Sequence, residues 1–183
     1  MNDIQGWFTF SPLYDEMINK YERGVFCEIG CWFGASATYL LDKINKSGKN
    51  IHCIFIDTWS GEPNVPYQMD ILKENGPHYV FNKFLENIKS INNNNYSIVR
   101  KDSVAAAKDF SDEFFDFVFI DGWHEQCYED VISYWPKVTK GGVLAGHDWD
   151  GQVVANAVIK FCKENSLEYQ VYGSPLQCWR INK

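Results

Sequence analysis

In "KGGVLAGHDWDG" an apolar run ends on His147 and Asp148, setting an imidazole beside a carboxylate at a turn. Such a pair can bind a metal, move a proton or cap the turn, and all three readings stand for His147. A second apolar run, in "FDFVFIDGWHEQ", ends on Asp121, with His124 shortly after it. If the two runs lie side by side as strands, about 4.8 Å apart, then Asp121, His147 and Asp148 converge on one point. Two carboxylates and an imidazole supply three ligands for a divalent ion and leave positions for a bidentate substrate. Oxygen-rich sets suit Mg2+, whereas a histidine also admits Mn2+ or a heavier metal. His124 can take a proton from a substrate hydroxyl near neutral pH, or serve only to hydrogen-bond the start of a helix.

These side chains need a scaffold that gathers strand ends. Short apolar runs bounded by Gly, Asp or Asn alternate with longer amphipathic stretches, the pattern of a parallel sheet with crossover helices. The runs fall at 24–30, 51–57, 96–102, 115–121 and 142–148, and four of the five finish in Asp. Helical patterns occupy roughly 35–46, 78–91, 103–109, 125–138 and 151–165. The tail "LEYQVYGSPLQCWRIN" reads as two strands around a Gly-Ser-Pro turn, an antiparallel hairpin at the sheet edge. Residues 58–77 read as a long loop, a candidate lid, and residues 1–22 as an N-terminal helical cap. Ligands of open α/β sheets bind beyond the carboxyl ends of the strands, the edge that Glu28, Asp57, Asp102, Asp121 and Asp148 are placed to face. Any one of them can be a helix cap or turn residue, but five together are hard to account for by capping alone.

The first run enters "EIGCWFGASATYLL", where Gly30 and Gly34 allow a tight turn and the helix start near Ala35 or Ser36 favours an anion. A dinucleotide fingerprint would carry a third glycine. Here Glu28 precedes the turn and would repel a pyrophosphate while suiting a cationic amino group, which disfavours an NAD-dependent oxidoreductase. A ligand with an amino-acid end and a nucleoside end fits better, with Asp57 as acceptor for two ribose hydroxyls.

The composition agrees with such a site. The 183 residues suffice for one domain, 1–183, with a sizeable core. A net charge of −7 argues against nucleic-acid partners. No apolar run approaches the length needed to span a bilayer and no secretory start is evident, so the expectation is a cytoplasmic chain with no membrane partner. The six cysteines lack any Cys-x-x-Cys spacing and read as buried, reduced thiols.

"FCEIGCWFGASATYLL", "IFIDTWSG", "VRKDSVAAAKDF", "FDFVFIDGWHEQCYEDVISYWPKVTKGGVLAGHDW" and the closing hairpin resemble the class I S-adenosylmethionine-dependent methyltransferases. Among these the chain is most similar to small O-methyltransferases related to the sugar-modifying macrocin type, over roughly residues 13–182. The resemblance implies an α/β, Rossmann-like three-layer sandwich whose seven-stranded sheet is mostly parallel, with the last strand antiparallel. It implies S-adenosylmethionine over the first strands, with Glu28, Gly30, Gly34 and Ser36 around the methionine moiety. Asp57 and Thr58 would meet the ribose, and Asp102 and Ser103 the adenine, with Trp59 either covering the adenine or bracing its loop. Asp121 would border this cofactor and belong also to the catalytic and metal sets. In similar metal-dependent enzymes the fifth strand ends in two acidic or amide residues, from which His147 departs, and catechol-type enzymes carry a catalytic lysine where His124 stands. The implied reaction is methyl transfer to a hydroxyl oxygen of a small polar acceptor, sugar- or phenol-like, assisted by Mg2+ or Mn2+. The alternative is a non-catalytic S-adenosylmethionine-binding or regulatory subunit, and a homo-oligomer is compatible with either.

Overall fold

The computed structural model describes residues 4–173 and 177–183. Seven strands form one sheet: β1 (Arg23–Ile29), β2 (Asn50–Asp57), β3 (Tyr96–Arg100), β4 (Phe115–Ile120), β5 (Val138–Gly146), β6 (Gln170–Tyr172) and β7 (Cys178–Asn182). Their order is β3-β2-β1-β4-β5-β7-β6. β3, β2, β1, β4 and β5 pair in parallel, and β7 runs antiparallel to both β5 and β6. The expected mostly parallel sheet is therefore present, with one refinement. The second hairpin strand returns inside the first, so β7 abuts β5 and the short β6 forms the edge. Ser174 and Pro175 of the expected Gly-Ser-Pro turn lie outside the described residues.

Alternation along the strands builds two cores. Phe26, Phe55, Phe117 and Phe119 point to one face, packing beneath α1 (Ser11–Lys20), α2 (Ala35–Ser47) and α4 (Tyr79–Lys89). Their neighbours Cys27, Ile54, Val118 and Ile120 point to the other, beneath α5 (Ser103–Ala107), α6 (Cys127–Tyr134) and α7 (Gln152–Asn165). The period of two in a strand covered on both faces explains why these runs are apolar throughout. All six cysteines are buried free thiols, as their apolar neighbours imply.

Several boundaries differ from the sequence reading. The 58–77 segment is not all loop but carries α3 (Pro66–Asn75), a helix with none of its residues buried, whose weak apolar stripe left little to recognise. Among the described residues of the N-terminal segment, only Ser11–Lys20 is helical. The 125–138 stretch is broken into a 3₁₀ turn at His124–Gln126, α6, and a second turn at Trp135–Lys137, because Pro136 cannot continue the backbone ladder. No helix among the described residues is long and apolar enough to cross a membrane.

The ladder continues one residue past the strands and sets the register of the site. Gly30 N–H donates to Ile56 O at 2.9 Å, Asp121 N–H to Ile29 O at 2.8 Å, and His147 N–H to Ile120 O at 3.1 Å. Gly30, Asp121 and His147 thus stand abreast at the carboxyl edge.

Candidate active site

That edge opens into a cavity of about 450 Å³. Gly30 and Ser36 line it from the glycine loop and α2, Asp57 and Thr58 from the end of β2, Asp121 and His124 from beyond β4, and His147 and Asp148 from beyond β5. Gly30 allows close approach of two backbones: at φ +82°, a Cβ there would lie 2.0 Å from the Asp121 carbonyl oxygen. Asp57 organises the loop. Its Oδ2 accepts from the backbone N–H groups of Cys31 at 2.8 Å and Trp32 at 2.9 Å, and its Oδ1 from Trp59 N–H at 2.7 Å. Burial raises its pKa against the pull of these donors.

Other residues implied for the cofactor do not line this cavity. Glu28 is buried at 1 % exposure and spends both oxygens on protein, accepting from Tyr14 Oη at 2.8 Å and Ser36 Oγ at 2.6 Å. Burial pushes its pKa up to about 7, the two hydroxyl donors opposing. It ties α1 to the start of α2. Gly34, at φ +84°, precedes α2, and a Cβ there would meet the Phe84 ring at 2.8 Å. Trp59 is fully buried against Phe81 and Phe84, and its Nε1 donates to Trp32 O at 2.9 Å, so it braces the loop and does not cover an adenine. Asp102 caps α5 by accepting from Ala105 N–H at 2.9 Å, and Ser103 donates to the buried Asp130 at 2.5 Å. Gln126 Nε2 bridges these two, donating to Asp102 at 3.0 Å and Ser103 at 2.7 Å.

At the other end of the cavity, one donor atom each from Asp121, His147 and Asp148 lies within 4.8 Å of the others. Adjacent residues in a regular strand would face opposite sides. Asp148 escapes that rule because it adopts the left-handed conformation, φ 55°, which Asp tolerates better than most residues. Its Oδ1 consequently lies 3.0 Å from His147 Nδ1, while Asp121 Oδ1 lies 3.7 Å from the same nitrogen. Burial and the charge of Asp148 hold the Asp121 pKa well above the ordinary carboxylate range. For Asp148 burial acts upward too, but the hydrogen bonds from His124 and His147 outweigh it and the pKa falls. The His147 ring is buried, which disfavours its charge, yet bonding to Asp148 and the Asp121 charge raise its pKa overall.

His124 differs from the free base that its spacing allows. Its Nε2 lies 2.8 Å from Asp148 Oδ2 and its Nδ1 3.2 Å from Glu62 Oε2. These two carboxylates raise its pKa to about 10, hydrogen bonding to Asp148 being the largest cause. Protonated, the ring donates from both nitrogens and has no lone pair for a substrate proton. Glu62, Thr9 and Gln177 are partners that spacing did not reveal. Glu62 and Thr9 had a signal only in their segments, the long 58–77 stretch and the N-terminal cap; Gln68 Oε1 accepts the Glu62 backbone N–H at 2.7 Å.

A family model described as a methyltransferase domain matches residues 27–149. No curated protein matches the sequence. Among solved structures, the O-methyltransferase NovP is similar with a TM-score of 0.69 and 13 % identity, over 93 % of this chain and 76 % of that one. The precorrin-6y C5,15-methyltransferase from Geobacter metallireducens has a TM-score of 0.68 and 13 % identity, over 100 % of this chain and 93 % of its own. An O-methyltransferase from Bacillus cereus, in complex with SAH, has a TM-score of 0.60 and 13 % identity, over 99 % and 84 %.

Proposed function

The chain belongs to the methyltransferase-domain family, and from that premise we propose that it transfers the methyl group of S-adenosylmethionine to a hydroxyl oxygen of a small polar acceptor, sugar- or phenol-like, beside a divalent cation. The observation that carries this reading is the shared cavity, onto which both the Gly30–Asp57 loop and the Asp121–His147–Asp148 group open. Its volume lies in the range of small-molecule sites. The donor set of two carboxylates and one imidazole within 4.8 Å fits Mg2+ or Mn2+.

When bound, S-adenosylmethionine supplies a methyl carbon on a sulfonium leaving group, and a divalent cation supplies charge that lowers the pKa of a hydroxyl. The chain's part is alignment, the larger share of the barrier in such a transfer. Gly30, Ser36, Asp57 and Thr58 hold the methyl donor along the glycine loop. Asp121, His147 and Asp148 seat the cation, and His124 fixes Asp148 by donating to Oδ2, which leaves Oδ1 turned to His147. The acceptor hydroxyl, made more acidic beside the cation, would lose its proton to water. The 58–77 segment acts as a lid whose Glu62 closes on His124. A non-catalytic binding subunit would have no use for the second group of donors, which favours turnover.

Calorimetric titration with S-adenosylmethionine, with and without Mg2+ or Mn2+, tests the proposal. Binding of both, with metal and donor affinities linked, is the expected result. Donor binding unaffected by any metal would remove the cation, and no donor binding at all would end the reading.

A further inference from the structure

We infer that Thr9 is a positioning residue that fixes the ring tautomer of His147, so that Nδ1 presents its lone pair to the cation seat; the inference rests on that proposed seat. A chain of hydrogen bonds, its direction set at the far end, leads from Asp150 through Gln177 and Thr9 to His147. Asp150 is a carboxylate and can only accept, so the Gln177 group facing its Oδ2 at 3.5 Å is the amide nitrogen. The Gln177 carbonyl oxygen then faces Thr9, whose hydroxyl donates to it at 3.1 Å. With its one proton used, Thr9 Oγ1 can only accept from His147 Nε2, which lies 2.9 Å away. A neutral imidazole that carries its hydrogen on Nε2 has a bare lone pair on Nδ1. That nitrogen faces Asp148 Oδ1 at 3.0 Å and Asp121 Oδ1 at 3.7 Å, where without a cation a proton on Nδ1 bridges to Asp148, and a divalent cation would take that proton's place.

Two further contacts keep the chain in register. Trp149 N–H donates to Gln177 O at 3.0 Å, which pins the hairpin to the turn that holds Asp148. The Phe10 ring packs on the His147 ring at 5.2 Å between centroids, so residues adjacent in sequence set both the plane and the tautomer of one imidazole. The N-terminal segment and the C-terminal hairpin thereby complete a site whose ligands all come from the middle of the sheet.

The test is Mn2+ binding to the purified chain in the presence of S-adenosylhomocysteine, followed by calorimetry, for the parent, Thr9→Val and Thr9→Ser. Thr9 is exposed, so valine should not disturb folding. Thr9→Val should weaken Mn2+ by about tenfold, as loss of a ligand's outer hydrogen-bond partner does, while Thr9→Ser restores binding and S-adenosylhomocysteine affinity is unchanged in both. In parallel, ¹⁵N-histidine spectra with Mg2+ should show His147 as the Nε2–H form in the parent and as a mixture in Thr9→Val, a change that loss of packing alone would not produce. Equal Mn2+ affinity in the parent and Thr9→Val would overturn the proposal. A parent that binds S-adenosylhomocysteine but no Mn2+ would overturn the cation seat and this inference with it, and is seen in the parent alone. If Thr9→Val loses S-adenosylhomocysteine, Gln177→Leu cuts the same chain one link further out and decides the matter by the same comparison.

Discussion

Asp148 has two oxygens with two different neighbours, and the residue-scale chemistry follows from keeping them distinct. Oδ2 is taken by the His124 imidazolium at 2.8 Å, so Oδ1 alone faces His147 and Asp121. Removing a carboxylate from a cation seat costs more than removing its outer partner, which is typically worth 10–100-fold. Asp148→Ala and Asp121→Ala should therefore each lower methyl transfer by at least about a hundredfold. S-adenosylhomocysteine affinity, read by calorimetry, should stay near the parent value, and a fully active double variant would remove the cation proposal. His124 gives a contrasting expectation. As a doubly bonded cation it orients and does not accept protons, so His124→Gln should slow turnover by about tenfold and leave the shape of the pH–rate profile intact. Loss of one limb of that profile in the variant would restore His124 as the base.

At the scale of elements, the site depends on strand ends meeting without intervening side chains. Gly30→Ala puts a methyl group into the Asp121 carbonyl and forces an L-residue into φ +82°, and neither backbone can yield without breaking the β1–β4 ladder. Urea denaturation should show a loss of about 2–4 kcal/mol, at the upper end for a single substitution, together with lost donor binding. The strand ends were legible because an apolar run that stops at an Asp marks where a buried strand meets the polar edge of its sheet. The order of glycine loop, Asp57, Asp121 and His147-Asp148 follows from those ends. The hidden parts have physical causes. Glu28 reads as a ligand from its position before the turn, but only the fold shows Tyr14 and Ser36 occupying both of its oxygens. Thr9 and Gln177 come from irregular segments with no period to betray their direction; β7 returning against β5 carries Gln177 there, and Phe10 packing on the His147 ring carries Thr9. The segment bearing α3 buries none of that helix and is held at the pocket by polar contacts, Glu62 with His124 and Tyr67 with Gln5. Amide exchange in α3 should be faster than in β1, and should slow when S-adenosylhomocysteine and Mg2+ are both present; exchange unchanged by both ligands together would rule out a lid.

At the scale of the whole molecule, two buried carboxyls on opposite faces of the sheet tie stability to pH. Glu28 lies on the α1–α2 side, bonded to Tyr14 and Ser36, and Asp130 on the α5–α6 side, bonded to Ser103. Each is 1 % exposed, and burial raises each pKa to about 7 in spite of the hydroxyl and amide donors. Because the folded pKa exceeds the unfolded one, the folded state binds more protons in the interval between them. Stability is then fully present below the unfolded values of 4.5 for Glu28 and 3.8 for Asp130, and is lost as pH rises toward about 7. The urea midpoint of the metal-free chain should accordingly fall from pH 5 to pH 8, by a free energy on the order of a few kcal/mol, since one pKa unit corresponds to about 1.4 kcal/mol. Glu28→Gln and Asp130→Asn imitate the protonated forms. Each should match the parent near pH 5 and exceed it at pH 8, and the double variant should flatten the slope between them. If that double variant keeps the parent's full decline, the proton uptake belongs to other groups, and the two carboxyls are charged in the folded core in spite of their burial.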